Sequence, residues 1–164
     1  MAEVEDQQYK LRGHMVQRRT HQEIATEAVV QFSKLSQIEQ GRLNIERFID
    51  YLAMEDIIIH VLSNRAWNQK HFLTKGLSIP IQGKIFIPQK LFNGAIKNNP
   101  DDWKTFFHEL GHVVLRHEPI YLKADEKRAI ESLDDAETQA DYFALVMMKL
   151  FNLRDEATQL EFNF

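Results

Sequence analysis

Apolar residues recur at helical spacing over 21–35, at Ile24, Ala25, Ala28, Val29, Phe32 and Leu35. Gly41 stops that pattern, and Asn44 is placed to cap a second helix whose apolar face is Ile45, Phe48, Ile49 and Leu52. The run 57–62 is short and β-branched, which predicts a strand. Residues 76–81, a Gln82-Gly83 turn and residues 84–87 predict a hairpin, with Pro80 at an edge or a bulge. The loop Asn98-Asn99-Pro100-Asp101 also supplies a helix start, and that helix is predicted over about 102–117, ahead of Pro119. A last long helix, over about 127–151, carries Ala136, Ala140, Phe143, Ala144, Met147 and Leu150 on one side. Helices, a small sheet and two more helices predict an α+β domain with one layered core.

Composition narrows the function classes. The 164 residues suit one ordinary domain, and no repeat, low-complexity tract or Gly/Ser-rich linker divides them. Hydrophobic residues at 44% and charged residues at 27% give the balance of a globular chain. Twenty Lys+Arg against 24 Asp+Glu leave a formal net charge of −4, which argues against a general nucleic-acid-binding surface. Apolar stretches such as 57–59 and 113–115 are core-sized, so no membrane span is expected. The start of the chain is acidic and lacks an apolar signal core, and the expected location is the cytoplasm. Residues 1–19 are expected as a flexible arm before a domain over 20–164. The string Gly13-His14-Met15 also admits a reading as a cloning scar with the start at Met15. The chain has no cysteine, which excludes disulfides, zinc ribbons, iron–sulfur clusters and thiol nucleophiles. Any metal must be held by carboxylates and by some of the seven histidines.

The chemistry concentrates in His108-Glu109-Leu110-Gly111-His112, an H-E-x-x-H string inside the helix predicted over 102–117. Positions i and i+4 lie one turn apart on one helix face, so both imidazoles can reach one ion, with zinc favoured for nitrogen and oxygen donors. Glu109 can reach a water beside that ion but not the ion itself. Two surface histidines and a glutamate would leave the same string, but the apolar flanks Phe106, Phe107, Leu110, Val113, Val114 and Leu115 predict a largely buried helix. Gly111 costs about 1 kcal/mol in a helix interior relative to Ala and predicts a close neighbour there. The metzincin arrangement fails for the third ligand, because its Gly and His positions are Leu115 and Glu118. A carboxylate from a later helix is the other solution. Glu137 would be the ligand, and Asp141, one turn on, would accept the N–H of a ligating His and fix its tautomer. The bland alternative is that Glu137 and Asp141 only solvate an amphipathic helix.

With both halves present, the pattern resembles the gluzincins, and more narrowly the ImmA/IrrE family of metallopeptidases. The carrying residues are Phe107-His108-Glu109-Leu110-Gly111-His112-Val113-Val114-Leu115-Arg116-His117 and Glu137-Thr138-Gln139-Ala140-Asp141-Tyr142-Phe143-Ala144. Gln139 departs from the glutamate usual in that family's second motif. The resemblance covers about 20–151 and implies a zincin-like fold, with a small twisted sheet beside an active-site helix and a long C-terminal helix. It implies zinc held by His108, His112 and Glu137, with Glu109 as general base. It also implies a regulatory endopeptidase whose partner is a helix-turn-helix repressor, in mobile-element or stress control. The oxyanion of the transition state needs a further electrophile, for which Tyr121, His117, Tyr142 and His71 are the candidates. A binding or regulatory protein that keeps the zinc scaffold but needs its partner to act, or never cuts, is the competing class.

Residues 18–55 carry a second resemblance, to Cro/C1-type helix-turn-helix domains, through Arg18-Arg19-Thr20-His21-Gln22-Glu23-Ile24-Ala25 and Leu35-Ser36-Gln37-Ile38-Glu39-Gln40-Gly41-Arg42. Its turn falls on Ala28-Val29-Val30-Gln31, without the usual Gly, and residues 1–55 hold seven Lys+Arg against nine Asp+Glu. The favoured expectation is that these helices pack on the peptidase sheet and bind no nucleic acid.

Overall fold

The computed structural model of the chain describes residues 9–39, 43–71, 74–123, 126 and 128–154. The acidic stretch 1–6, Gly41 and the side chain of His71 lie outside the described residues. The elements run α1 (His21–Glu39), α2 (Ile45–Met54), β1 (Ile58–Leu62), α3 (Asn64–His71), β2 (Leu77–Ile79), β3 (Lys84–Pro88), α4 (Gln89–Ile96), α5 (Pro100–Val114) and α6 (Ala136–Leu150). This is an α+β fold. Asn44 caps α2 as expected, accepting the Arg47 N–H at 3.2 Å.

The sheet has strand order β1-β3-β2. β3 lies in the centre and buries Ile85 and Ile87 completely. It pairs in parallel with β1, Ile59 opposite Ile85, and antiparallel with β2, Ser78 opposite Ile85. A parallel pair needs a crossover. Here α3 begins that connection, and its mainly polar sequence, with Trp67 as its buried anchor, carries no helical stripe for the periodicity to find. The expected hairpin forms, but Pro80–Gln82 is a 3-10 turn rather than strand, so β2 stops at Ile79. Pro80 thus follows an edge strand, where its missing N–H costs no ladder bond.

Four helices end alike. Asp56, Asn98, Arg116 and Asn152 take left-handed φ values of 63°, 58°, 52° and 56°. In each case the next N–H bonds back five residues, as His117 does to His112 O at 3.0 Å. Asn and Asp tolerate that conformation; Arg116 carries the steric cost of a Cβ there. Helix α5 therefore closes at Val114, not at 117, and the closing turn brings His117 back beside His112.

Helices α5 and α6 form the most extensive packing pair, and α1 lies against α6. Trp103, Phe106, Phe107, Phe48 and Phe143 are fully buried between the helices and the sheet. The Trp103 indole donates to Ala95 O at 3.1 Å, which satisfies its one polar atom. Helix α6 starts at Ala136 rather than near 127, because Asp135 caps it by accepting the Glu137 N–H at 3.0 Å. Helix α1 runs unbroken through 28–31, so the turn of a helix-turn-helix is absent there. Its buried Ile24, Ala28 and Leu35 belong to the common core instead.

Residues 9–19, read from the sequence as part of an arm, pack against the C-terminal half. Met15 and Val16 are buried, Met15 forms a bridge to Asp135, and the Val16 N–H reaches Asp134 O at 2.8 Å. Asp134 is wholly buried and accepts Arg18 at 2.9 and 2.8 Å, Arg128 at 3.1 Å and the Glu131 N–H at 2.8 Å. The Arg18 hydrogen bond outweighs burial and brings the Asp134 carboxyl from 3.8 down to about 2. A pKa depressed by folding contributes stability above the unfolded value, and that stability is lost as pH falls through the folded value. Asp134→Asn is therefore expected to cost about 2 kcal/mol at neutral pH. It should also flatten the acid limb of stability between about pH 4 and about pH 2, read by urea unfolding across that range.

Candidate metal centre

Helix α5 carries His108 and His112 one turn apart, with their rings 4.8 Å apart and nearly perpendicular. Glu137 stands in the first turn of α6, two residues after the Asp135 cap. Its two oxygens lie 2.9 Å from His108 Nε2 and 3.2 Å from His112 Nε2, and the two Nε2 atoms are 3.1 Å apart. The three side chains bring one donor atom each within 4.8 Å of one another, and this group could hold a metal ion. The donor set fits a divalent ion that accepts nitrogen and oxygen, since two imidazoles and a carboxylate converge on one point while the sides of the cleft stay open.

What brings α6 so close is the small-residue contact that Gly111 signals. A Cβ on Gly111 would stand 2.9 Å from Cδ1 and 3.1 Å from Cβ of Phe143. Ala136, Ala140 and Ala144 on α6 are buried as well. Gly111→Ala gains about 1 kcal/mol of helix propensity, but overpacking a filled core costs about 1–3 kcal/mol. The expected net result is lower stability by urea unfolding, together with weaker metal binding as α6 and Glu137 are pushed away.

Two further hydrogen-bond systems stand behind the ligands. Asp141 accepts from His108 Nδ1 at 2.7 Å, and Arg12 Nη2 reaches the other Asp141 oxygen at 2.8 Å. On the second side, His112 Nδ1 lies 2.8 Å from His117 Nδ1, and His117 Nε2 lies 2.8 Å from Gln139 Oε1. Burial alone would disfavour a charged His108, but its bonds to Asp141 and Glu137 prevail and push the ring up to about 10. Hydrogen bonds from His108 and His112 hold Glu137 well below the usual carboxylate range. Asp141 is also lowered: burial opposes the shift, and the bonds from His108 and Arg12 outweigh it. Burial pushes His117 down to about 4.

The cleft in front of the three ligands has a volume of about 540 Å³. Glu109 lines it and is 9% exposed, and a Cβ on Gly76, at the head of β2, would stand 2.9 Å from Glu109 Cγ. That loop can approach the carboxylate because it bears no side chain there. Of the expected oxyanion stabilisers, none faces this cleft among the described side chains. His117 is buried behind His112 with both nitrogens engaged, Tyr121 is 88% exposed outside the cleft, and Tyr142 packs on His21. His14, Ser78, Lys104 and Thr105 do line it. None of the four stands in the two family motifs, so no local pattern marks them as cleft residues. Gln139 carries a signal of its own, since a polar residue on the apolar face of Ala136, Ala140 and Phe143 is a sign of a buried partner. No family model matches the chain, and no curated protein or solved structure matches it either.

Proposed function

We propose that the chain is a zincin-like, zinc-dependent endopeptidase of the ImmA/IrrE type. The observation that carries this reading is the convergence of His108, His112 and Glu137 with Glu109 beside them in an open cleft. Zinc held by the three residues would supply a Lewis acid for a water and for a scissile carbonyl. The Glu109 carboxylate takes the proton of that water and later delivers it to the leaving amine. Asp141 keeps the His108 proton on Nδ1, so that Nε2 faces the cleft. β2 is an edge strand and contributes Leu77 and Ser78 to the cleft wall, so an extended peptide can add to it by strand pairing. The resemblance to the family makes a helix-turn-helix repressor the substrate class of choice.

The test is incubation of the zinc-loaded chain with a diverse peptide library, read by mass spectrometry. The expected result is cleavage that stops on chelation and returns with zinc. Stoichiometric zinc without cleavage of any peptide or candidate repressor would favour a scaffold that binds without cutting.

A further inference from the structure

The hydrogen-bond chain behind His112 has a direction at its far end, which the contacts of Gln139 fix. Gln139 is fully buried, and its amide nitrogen lies 2.9 Å from Gln17 O and 2.7 Å from Leu133 O. Both partners are carbonyls, which only accept, so this end of the side chain must be the NH2 group. The Gln139 oxygen therefore faces His117 Nε2 at 2.8 Å, and that nitrogen must carry a hydrogen. His117 is buried too, and its remaining nitrogen, Nδ1, lies 2.8 Å from His112 Nδ1. One of these two must donate and the other accept.

We infer that Gln139 and His117 are positioning residues that orient the hydrogen bond at His112, so that Nδ1 of His112 donates and its Nε2 turns a lone pair into the cleft. This rests on the reading of His108, His112 and Glu137 as a metal site. The opposite direction would put the hydrogen of a neutral His112 on Nε2, where it would block coordination. The bond chain thus does for His112 what Asp141 does for His108, with a neutral imidazole and an amide in place of a carboxylate. Its anchor is main chain: Gln17 belongs to the packed N-terminal segment and Leu133 to the turn before α6. The closing turn of α5, with Arg116 in the left-handed region, is what returns His117 to this position.

Two readouts test the inference on the full chain. In the metal-free wild-type protein at neutral pH, long-range proton–nitrogen correlation spectra should show His117 with Nε2 protonated and Nδ1 bare. A protonated His117 Nδ1 overturns the proposal, and this measurement needs no variant. Zinc affinity, measured by competition with a chelator, should fall about 10- to 100-fold in His117→Phe, the usual effect of losing a partner behind a metal ligand. In His117→Gln the amide oxygen can accept from His112 while its NH2 donates to Gln139, and affinity should return to within about fivefold of wild type. A purely space-filling role predicts the reverse order, with Phe tolerated and Gln no better. A folded Phe variant with unchanged zinc affinity defeats the positioning role while leaving the metal reading intact. A wild-type chain that takes up no zinc defeats both.

Discussion

Glu109→Gln is expected to leave zinc binding intact and to lower peptide-bond hydrolysis by about 10²- to 10⁴-fold, the range of a lost general base. Glutamine keeps the shape of the side chain, so the close approach of Gly76 to Cγ and the burial of the group are preserved. What disappears is the ability to accept a proton. Paired zinc titration and peptide hydrolysis on wild type and variant decide the matter. Equal loss of zinc and activity would mean that Glu109 holds the site together, not that it moves a proton. Unchanged biological activity in the variant would favour the non-cleaving scaffold.

Glu137→Ala should have the other large effect, on metal binding. Glu137 is the one group of the three that comes from α6, and it contacts both imidazoles. Its removal should weaken zinc binding by more than the roughly 100-fold upper end seen for partners behind the ligands. A ligand that binds only the folded state stabilises it by about 4 kcal/mol at a thousandfold excess over Kd. For a domain of this size that corresponds to a rise in Tm of about 8–16 °C. The wild-type chain should therefore gain thermal stability on adding zinc, and the Glu137→Ala chain should gain little. Thermal unfolding with and without zinc, followed by circular dichroism, measures the difference.

Much of the site was legible because helical spacing translates directly into geometry. His108 and His112 needed only a periodicity of 3.6, and Gly111 announced the neighbour that proves to be Phe143. Glu137 and Asp141 were legible for the same reason, one turn apart on a helix with small residues beside them. Elements without an apolar stripe were not. Helix α3 is polar, and α4 is two turns long with Leu91 and Ala95 as its buried residues. Helix α5 stops three residues short of the expected 117, and the sequence does not mark the stop because the left-handed position is filled by Arg116, where a glycine would signal it. His117, expected at the cleft, turns inward at that stop instead. The N-terminal segment is the other lesson. Polar residues such as Tyr9 and Arg12 look like solvated chain, yet they bond Asp135 and Asp141 across the fold. Long-range polar pairing leaves no period in a sequence.

Metal analysis of the purified full chain, combined with X-ray absorption at the zinc edge, decides whether two imidazoles and a carboxylate hold a zinc ion. About one zinc per chain, with two imidazoles and oxygen donors around it, is the expected result. Less than about 0.5 zinc per chain, with no gain when zinc is added, would contradict a zinc site at His108, His112 and Glu137.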